Sequence, residues 1–249
     1  MSNYVLVFAS GVGSRMRSTV GPKQFLEVND KPILIYTLER FAQHKEIDGI
    51  YLVVRKSKEA YVKKLIEDFA IEKFRLIVTD DDEDDLSAHA SILNGIMKMK
   101  LDGVKNDDLV LIHDGVRPII DEKTISDCIA TATKFGNAIT SMPAHETIAH
   151  KSGEHGIGEV TKRDDMIILQ APQTFRFEDA YEVNLKALED GMVGKFVDQA
   201  ELNRHYGKEL NAIEGLKGNV KITVPLDFTY FEFLVQSKKY YKVIKGESI

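Results

Sequence analysis

Ser10-Gly11-Val12-Gly13-Ser14-Arg15-Met16 follows directly on an apolar run, and Pro22-Lys23-Gln24 comes a few residues later. Glycines after a strand let the backbone approach a ligand closely and aim amide N–H groups at phosphate oxygens, while Arg15 and Lys23 add full positive charges. The chemistry this points to is the cradling of an anion. The dinucleotide fingerprint G-x-G-x-x-G fails because Met16 stands at its third glycine, and no G-K-S or G-K-T exists for a Walker loop. A second constellation is His113-Asp114-Gly115-Val116-Arg117-Pro118, which sets a carboxylate at the exit of an apolar strand. Asp114 there could help hold a divalent metal, orient a substrate or cap a turn, and Arg117 beside Pro118 reads as a brace for the loop rather than a substrate contact. Asp227 is a second metal candidate, with the N-cap of the final helix as its competing role.

Composition narrows the partners. The chain has 249 residues, 43% hydrophobic and 29% charged, enough for a large core and unlike a disordered chain. With 39 acidic against 33 basic residues the net charge is -6, which argues against a broad grip on nucleic acid or an anionic membrane and makes any anion binding local. The longest uninterrupted apolar run, Tyr4 to Ala9, falls far short of the roughly 18 residues that span a bilayer, and no charged signal-peptide region precedes it. The expectation is a cytoplasmic protein without a membrane segment. A single cysteine, Cys128, excludes an internal disulfide framework and a thiolate zinc cluster; set among Ile125 and Ile129, it reads as buried packing. The 7 histidines lack metal-ligand spacing, which leaves oxygen-bound magnesium as the expected metal.

The elements that must position these residues follow from periodicity. Tyr4 to Ser10 predicts a strand buried on both faces, Lys31 to Gln43 an amphipathic helix, and Ile50 to Arg55 the next strand. Glu59 to Phe69 predicts a helix, Phe74 to Thr79 a strand, Ser87 the cap of a helix carrying Ile92, Ile96 and Met97, and Asp108 to His113 a further strand. This alternation predicts an α/β fold, a doubly wound and mostly parallel sheet of Rossmann-like type, whose ligands sit beyond the carboxyl ends of the strands. Residues 138–175 have a different texture. Ala138 to Met142, His145 to Ile148, a glycine-rich stretch and Val160 read as short pieces of a projecting β-hairpin arm. Phe177 to Asp190 predicts a helix, Val220 to Val224 a strand and Phe228 to Val235 a last helix. The acidic run Asp80 to Asp85 reads as a solvated loop. One domain over 1–249 is expected, with 143–170 as its arm.

Five ordered motifs carry a resemblance. Ala9 to Phe41, with G-V-G-S-R-M, P-K-Q-F-L and K-P-I-L-I-Y-T-L-E-R-F, resembles the opening of the cytidylyltransferases that activate sugar-alcohol phosphates, such as 2-C-methyl-D-erythritol 4-phosphate and ribitol 5-phosphate. His113 to Pro118 resembles their H-D-x-x-R-P, and Arg163 followed by Gln170-Ala171-Pro172-Gln173-Thr174-Phe175 resembles an arginine and Q-T-P-Q-x-F, with Ala171 in place of threonine. Asn219-Val220-Lys221-Ile222-Thr223, with Pro225 and Asp227, resembles N-I-K-I-T. The resemblance implies a nucleotidyltransferase domain whose hairpin arm swaps across a homodimer. It implies that Ala9, Ser10, Gly11, Val12 and Gly13 bind CTP through their backbone, that Arg15 and Lys23 hold its triphosphate, and that Ser91 lies near the cytosine. By the same resemblance Asp114 sits where nucleotide and acceptor meet, Thr147 and Arg163 reach the acceptor phosphate from a partner's arm, and Lys221 acts on the transition state.

The chemistry so implied is physically self-consistent. A phosphate monoester is largely a dianion at pH 7, so it can attack without a general base. The need is for charge cancellation as it approaches a triphosphate, which Arg15, Lys23 and Lys221 can supply with magnesium. The chain departs from the family at several places. Asp84, Asp85 and Ala88 stand where the family has two glycines and an arginine, Glu146 where an aspartate precedes the threonine, and Val197 where a threonine precedes Asp198. Gly115-Val116 is closer to the ribitol-type pattern. The expected function is therefore magnesium-dependent transfer of CMP from CTP to a polyol phosphate with release of pyrophosphate. The acceptor leans to ribitol 5-phosphate or a related capsule or teichoic-acid precursor. The alternatives are the methylerythritol phosphate enzyme of isoprenoid synthesis and a non-catalytic nucleotide-binding paralogue.

Overall fold

A computed structural model of the protein describes residues 1–11, 21–79 and 87–247. Val12, Gly13, Arg15, Asp84, Asp85 and the acidic run lie outside the described residues. The chain opens with β1 (Asn3–Phe8), the two-residue strands β2 (Glu27–Val28) and β3 (Lys31–Pro32), and α1 (Ile33–Ala42). Next come β4 (Gly49–Arg55), α2 (Glu59–Asp68), β5 (Phe74–Thr79), α3 (Ala88–Leu101), β6 (Leu109–Asp114) and α4 (Glu122–Phe135). The second half runs β7 (Asn137–Pro143), β8 (Ile148–Ser152), β9 (Gly156–Thr161), β10 (Ile167–Arg176), α5 (Phe177–Glu189), α6 (Gln199–His205), β11 (Ala212–Glu214), α7 (Pro225–Gln236) and α8 (Lys239–Val243).

Seven strands form one sheet in the order β11-β7-β10-β6-β1-β4-β5. β6, β1, β4 and β5 are mutually parallel, β10 runs antiparallel between β6 and β7, and β11 is parallel to β7. The apolar runs that predict these strands are buried on both faces because helices cover both. Leu34, Ile35 and Leu38 of α1, Val62 of α2 and Cys128 of α4 pack on one face with Val5, Val7 and Leu111. Ile92, Ile96 and Met99 of α3 and Phe177 and Ala180 of α5 pack on the other with Leu6, Val53 and Ile112. Gly95 lets α3 lie this close, since a β-carbon there would stand 2.4 Å from the Leu6 side chain. α1 is buried almost all round because its outer side, Ile33 and Tyr36, meets Phe231 of α7 and Tyr240 of α8 in a cluster of edge-on aromatic contacts.

The strand order reverses at β1. From β1 the chain steps outward to β4 and β5, then returns to place β6 on the opposite side. The carboxyl ends of β1 and β6 therefore flank a natural crevice. Ser87 caps α3, its hydroxyl accepting from the Ala90 N–H at 3.0 Å, as the spacing predicts. The hairpin is also present: β8 and β9 pair antiparallel and only with each other among the described residues, and Ile167 of β10 pairs with Pro143 at its base.

Several elements differ from expectation, with α6, β11 and α8 among those that the periodicity does not predict. No strand forms over Val220 to Val224, where the chain joins no sheet ladder. Its bonds instead reach the loop after β6, with the Ile222 N–H donating to the Val116 carbonyl at 2.9 Å. The helix α4 and the long strand β10 were not anticipated as elements. Asp121 caps α4 by accepting from the Thr124 N–H at 3.1 Å, and β10 carries a register shift between Leu169 and Gln173 that hides its period.

Candidate functional site

At the end of β1 the backbone turns its carbonyls into the protein. The Gln24 amide donates to the carbonyls of Ala9 at 2.6 Å and Gly11 at 3.0 Å, and Arg55 Nε donates to the carbonyl of Ser10 at 2.9 Å. Three successive acceptors are thus occupied, which suits a loop meant to face an anion. The Ser10 hydroxyl is hydrogen-bonded to that of Ser91, one turn into α3, so the loop and that helix form one polar floor. Lys23 opens a short 3-10 turn, Lys23–Phe25, whose buried Gln24 is the residue that holds the loop. Gln24 and Arg55 escaped the sequence reading as site residues. The P-K-Q motif pointed at Gln24, whereas Arg55 gave no signal beyond ending a strand.

Across the crevice, Asp114 ends β6 level with Phe8 of β1. Gly115 follows because the chain turns hard against β1: a β-carbon at 115 would lie 3.0 Å from that of Ala9. The Asp114 carboxylate is an ion-pair centre, with Lys221 Nζ 2.5 Å from Oδ1 and Arg117 Nε 3.3 Å from Oδ2. Burial alone would push its pKa up, but the Arg117 and Lys221 charges outweigh burial and hold it at about 2. Beneath it, His113 is fully buried and donates from Nε2 to the Arg117 carbonyl at 3.0 Å. Burial brings the His113 pKa down to about 4 against the opposing pull of that hydrogen bond, so the ring is neutral.

Lys221 is carried by the irregular segment that stands in place of the expected strand. Arg117 Nη1 donates to the Asn219 carbonyl at 2.7 Å, Gln170 Nε2 donates to the same oxygen at 3.2 Å, and Asn219 Nδ2 donates to the Ala171 carbonyl at 2.7 Å. Side chains, not a ladder, fix the strap. A cavity of about 210 Å³ opens beside it. Asp114, Arg117, Lys221 and Asp198 are its charged lining, and Gln170, Ala171, Gln173 and Val197 also line it. Gln173 secures Asp198 by a two-way clamp, donating to Asp198 Oδ2 at 2.9 Å and accepting from the Ala200 N–H at 2.8 Å.

Not every expected residue meets here. Thr147 is exposed on the arm, and Arg163, also exposed, stands 3.5 Å from the Asp164 carboxylate; neither lines the cavity. Asp227 Oδ2 accepts from the N–H groups of Thr223 at 2.7 Å and Val224 at 2.9 Å, so it caps α7. Among the described residues no group of three or more histidine, cysteine or acidic side chains is placed to hold a metal ion. Arg117 is the brace that its motif suggested, and Cys128 is buried, with burial pushing its thiol up to about 11.

The two shifted groups set an acid-stability prediction. Between pH 6.5 and about 4 the unfolded chain takes up a proton at His113 that the folded protein refuses, so stability present above pH 6.5 is lost on acidification. Below about pH 4, protonation of Asp114 continues the loss toward pH 2. Relative to His113→Asn, the protein should lose about 3 kcal/mol between pH 6.5 and 4 in urea titrations. A difference between the two proteins that stays constant with pH would remove His113 as the titrating group.

A family profile described as IspD, 2-C-methyl-D-erythritol 4-phosphate cytidylyltransferase, matches residues 4–237. A ribitol-5-phosphate cytidylyltransferase of Vibrio parahaemolyticus is 35% identical over 237 residues, covering 95% of this chain and 97% of the relative. A 2-C-methyl-D-erythritol 4-phosphate cytidylyltransferase of Clostridium novyi is 31% identical, covering 95% and 98%. Among solved structures, a 4-diphosphocytidyl-2C-methyl-D-erythritol synthase from Anaerococcus prevotii superposes with a TM-score of 0.77 at 25% identity, covering 94% of this chain and 96% of that one.

Proposed function

The chain belongs to the family of 2-C-methyl-D-erythritol 4-phosphate cytidylyltransferases, and from that premise we propose that it transfers CMP from CTP to ribitol 5-phosphate and releases pyrophosphate. The observation that carries the reading is the Lys221–Asp114–Arg117 cluster at the switch-point crevice, with the Ser10 loop on the opposite rim. A phosphate dianion of the acceptor attacks the α-phosphorus of CTP. The new oxygen–phosphorus bond forms as the bond to the β-phosphate oxygen breaks, and pyrophosphate leaves with the electron pair. No proton has to be removed, which fits a site whose buried carboxylate is already an anion and whose buried histidine is committed to the backbone.

What the residues supply is positive charge and position. Lys221 Nζ is tied to Asp114 yet its side chain is 37% exposed, so it can swing to a phosphate oxygen as charge develops. Lys23, with Arg15 beyond the described residues, is assigned to the triphosphate. The backbone of Ala9 to Gly13 is assigned to CTP, and Ser91 to the neighbourhood of its cytosine. Both oxygens of Asp114 are engaged by cations and Asp227 is a helix cap, so the described carboxylates do not fit a resident magnesium site. Magnesium enters this proposal as the companion of the CTP phosphates, part of the substrate.

Ribitol 5-phosphate is favoured as acceptor because the relatives bearing that name reach 35% identity, against 31% and 32% for those named for methylerythritol phosphate. The product would be an activated alcohol for capsule or teichoic-acid assembly, made in the cytoplasm. Methylerythritol 4-phosphate is the second reading, supported by the matching profile and the solved neighbours. Pyrophosphate release with CTP and magnesium should appear with ribitol 5-phosphate and be at least tenfold weaker with methylerythritol 4-phosphate or glycerol 3-phosphate. The reverse ranking would select the second reading; silence with every acceptor would end both.

We further propose that the arm joins a second copy of the chain. Ile157, Val160 and Ile167 are exposed apolar residues on it or at its base, and Thr147 and Arg163 lie away from their own chain's cavity. A monomer in sedimentation equilibrium at assay concentration would count against this.

A further inference from the structure

Arg55 is the last residue of β4, on the same carboxyl edge of the sheet as Asp114. Because Phe8 pairs with Val53, Arg55 stands level with Ser10 of the neighbouring strand exit. Its Nε donates to the Ser10 carbonyl at 2.9 Å, which turns the guanidinium toward the loop assigned to the nucleotide. The far nitrogen, Nη2, is shut off from solvent and meets no hydrogen-bond partner among the described residues. No described carboxylate forms an ion pair with Arg55 either. Its lateral neighbour on β5, Thr79, spends its hydroxyl on the Val54 carbonyl at 3.3 Å. A guanidinium fork with one prong bonded and one prong buried and empty is costly for a protein to keep, because a charged donor removed from water loses more than a neutral one.

We propose that Arg55 is a nucleotide-binding residue, whose Nη2 is satisfied only when an oxygen of the bound nucleotide sits beside the Ser10–Ser91 floor. This rests on the reading of the Ser10 loop as the CTP site and adds to it a cation outside every motif of the family resemblance. The acceptor is an oxygen in the plane of the guanidinium, supplied either by the cytosine carbonyl or by a phosphate. The Nε bond fixes that plane in advance, so the arginine binds without first paying the full ordering entropy of its long side chain.

The experiment uses the intact protein, Arg55→Met, which keeps the aliphatic stem, and Arg55→Lys, which keeps the charge without the fork. Calorimetry with CTP should show affinity reduced about tenfold or more in Arg55→Met, the expected size for a lost charge-assisted bond. Arg55→Lys should recover only part of it. The melting temperature without nucleotide should change little in Arg55→Met, since losing the Nε bond to Ser10 is offset by removing a half-satisfied buried charge, while the rise in melting temperature on adding CTP shrinks. A loss shared by CTP and cytidine places the contact on the base, and a loss confined to CTP places it on the phosphates; both support the inference. Equal CTP affinity in all three proteins overturns it, as does a lower melting temperature of free Arg55→Met with full CTP affinity, which would make the residue purely structural. Absence of CTP binding by the unaltered protein would instead overturn the nucleotide reading itself.

Discussion

Alanine in place of Lys221 is expected to lower kcat for pyrophosphate release by about 10²–10³-fold, the size of effect seen when one preorganised donor to developing charge is lost. KM for CTP should move little, because the triphosphate is assigned to the glycine loop and Lys23 on the other rim. The geometry sets the expectation: Nζ rests 2.5 Å from Asp114 on a strap fixed by Arg117, Gln170 and Asn219, so the amine is already at the crevice when substrates arrive. Asp114 keeps its bond to Arg117 in the variant, and Lys221 is partly exposed, so the folded state should lose no more than about 1 kcal/mol. Lys221→Arg should not restore full turnover, since a planar fork cannot occupy the place of a compact ammonium. Steady-state kinetics with saturating CTP decides the matter. A variant with unaltered kcat would strip Lys221 of any part in the chemistry.

The opposite signature is expected at Leu111, in the middle of β6. It is fully buried, pairs with Val5 on one side and Thr174 on the other, and packs in the cluster that includes Val7, Ile120 and Ile125. Leu111→Ala should cost about 2–5 kcal/mol of unfolding free energy, from lost burial and the cavity left behind. Urea titration reads that loss. Activity per folded molecule should stay near that of the unaltered protein, because Asp114 lies three residues further on and its ion pairs anchor it independently of the methyl groups removed. If kcat fell in step with stability while the protein was still folded, β6 would be acting as more than a platform.

The two residues mark how far local pattern reaches. Leu111 was legible as core from its apolar run, just as the β-α alternation, the Ser87 cap and the hairpin were, because periodicity and capping depend on neighbours within a few positions. Asp114 and Arg117 were legible as a pair of roles from one motif, carboxylate and brace. Val220 to Val224 misled for the same reason that made the others work. Its composition suits a strand, but a strand needs an edge to pair with, and the nearest backbone is the loop after β6, which accepts a single bond from Ile222. Asp227, weighed as a metal ligand or a cap, is a cap here because α7 begins where its carboxylate can collect two orphan N–H groups.

By itself the sequence determined a doubly wound sheet, its family, the reaction class, and the strand exits at which the chemistry belongs. Those follow from short-range hydrophobic period and from ordered motifs, both of which survive without knowledge of distant contacts. Only the tertiary structure decided that Lys221 meets Asp114, that Asn219 ties the strap to the wall of the cavity, and that Gln24 and Arg55 hold the Ser10 loop. Each of these contacts joins segments brought together by the order of strands in the sheet. No local period encodes that order; it is settled by which buried faces and hydrogen-bonding edges can be satisfied at once.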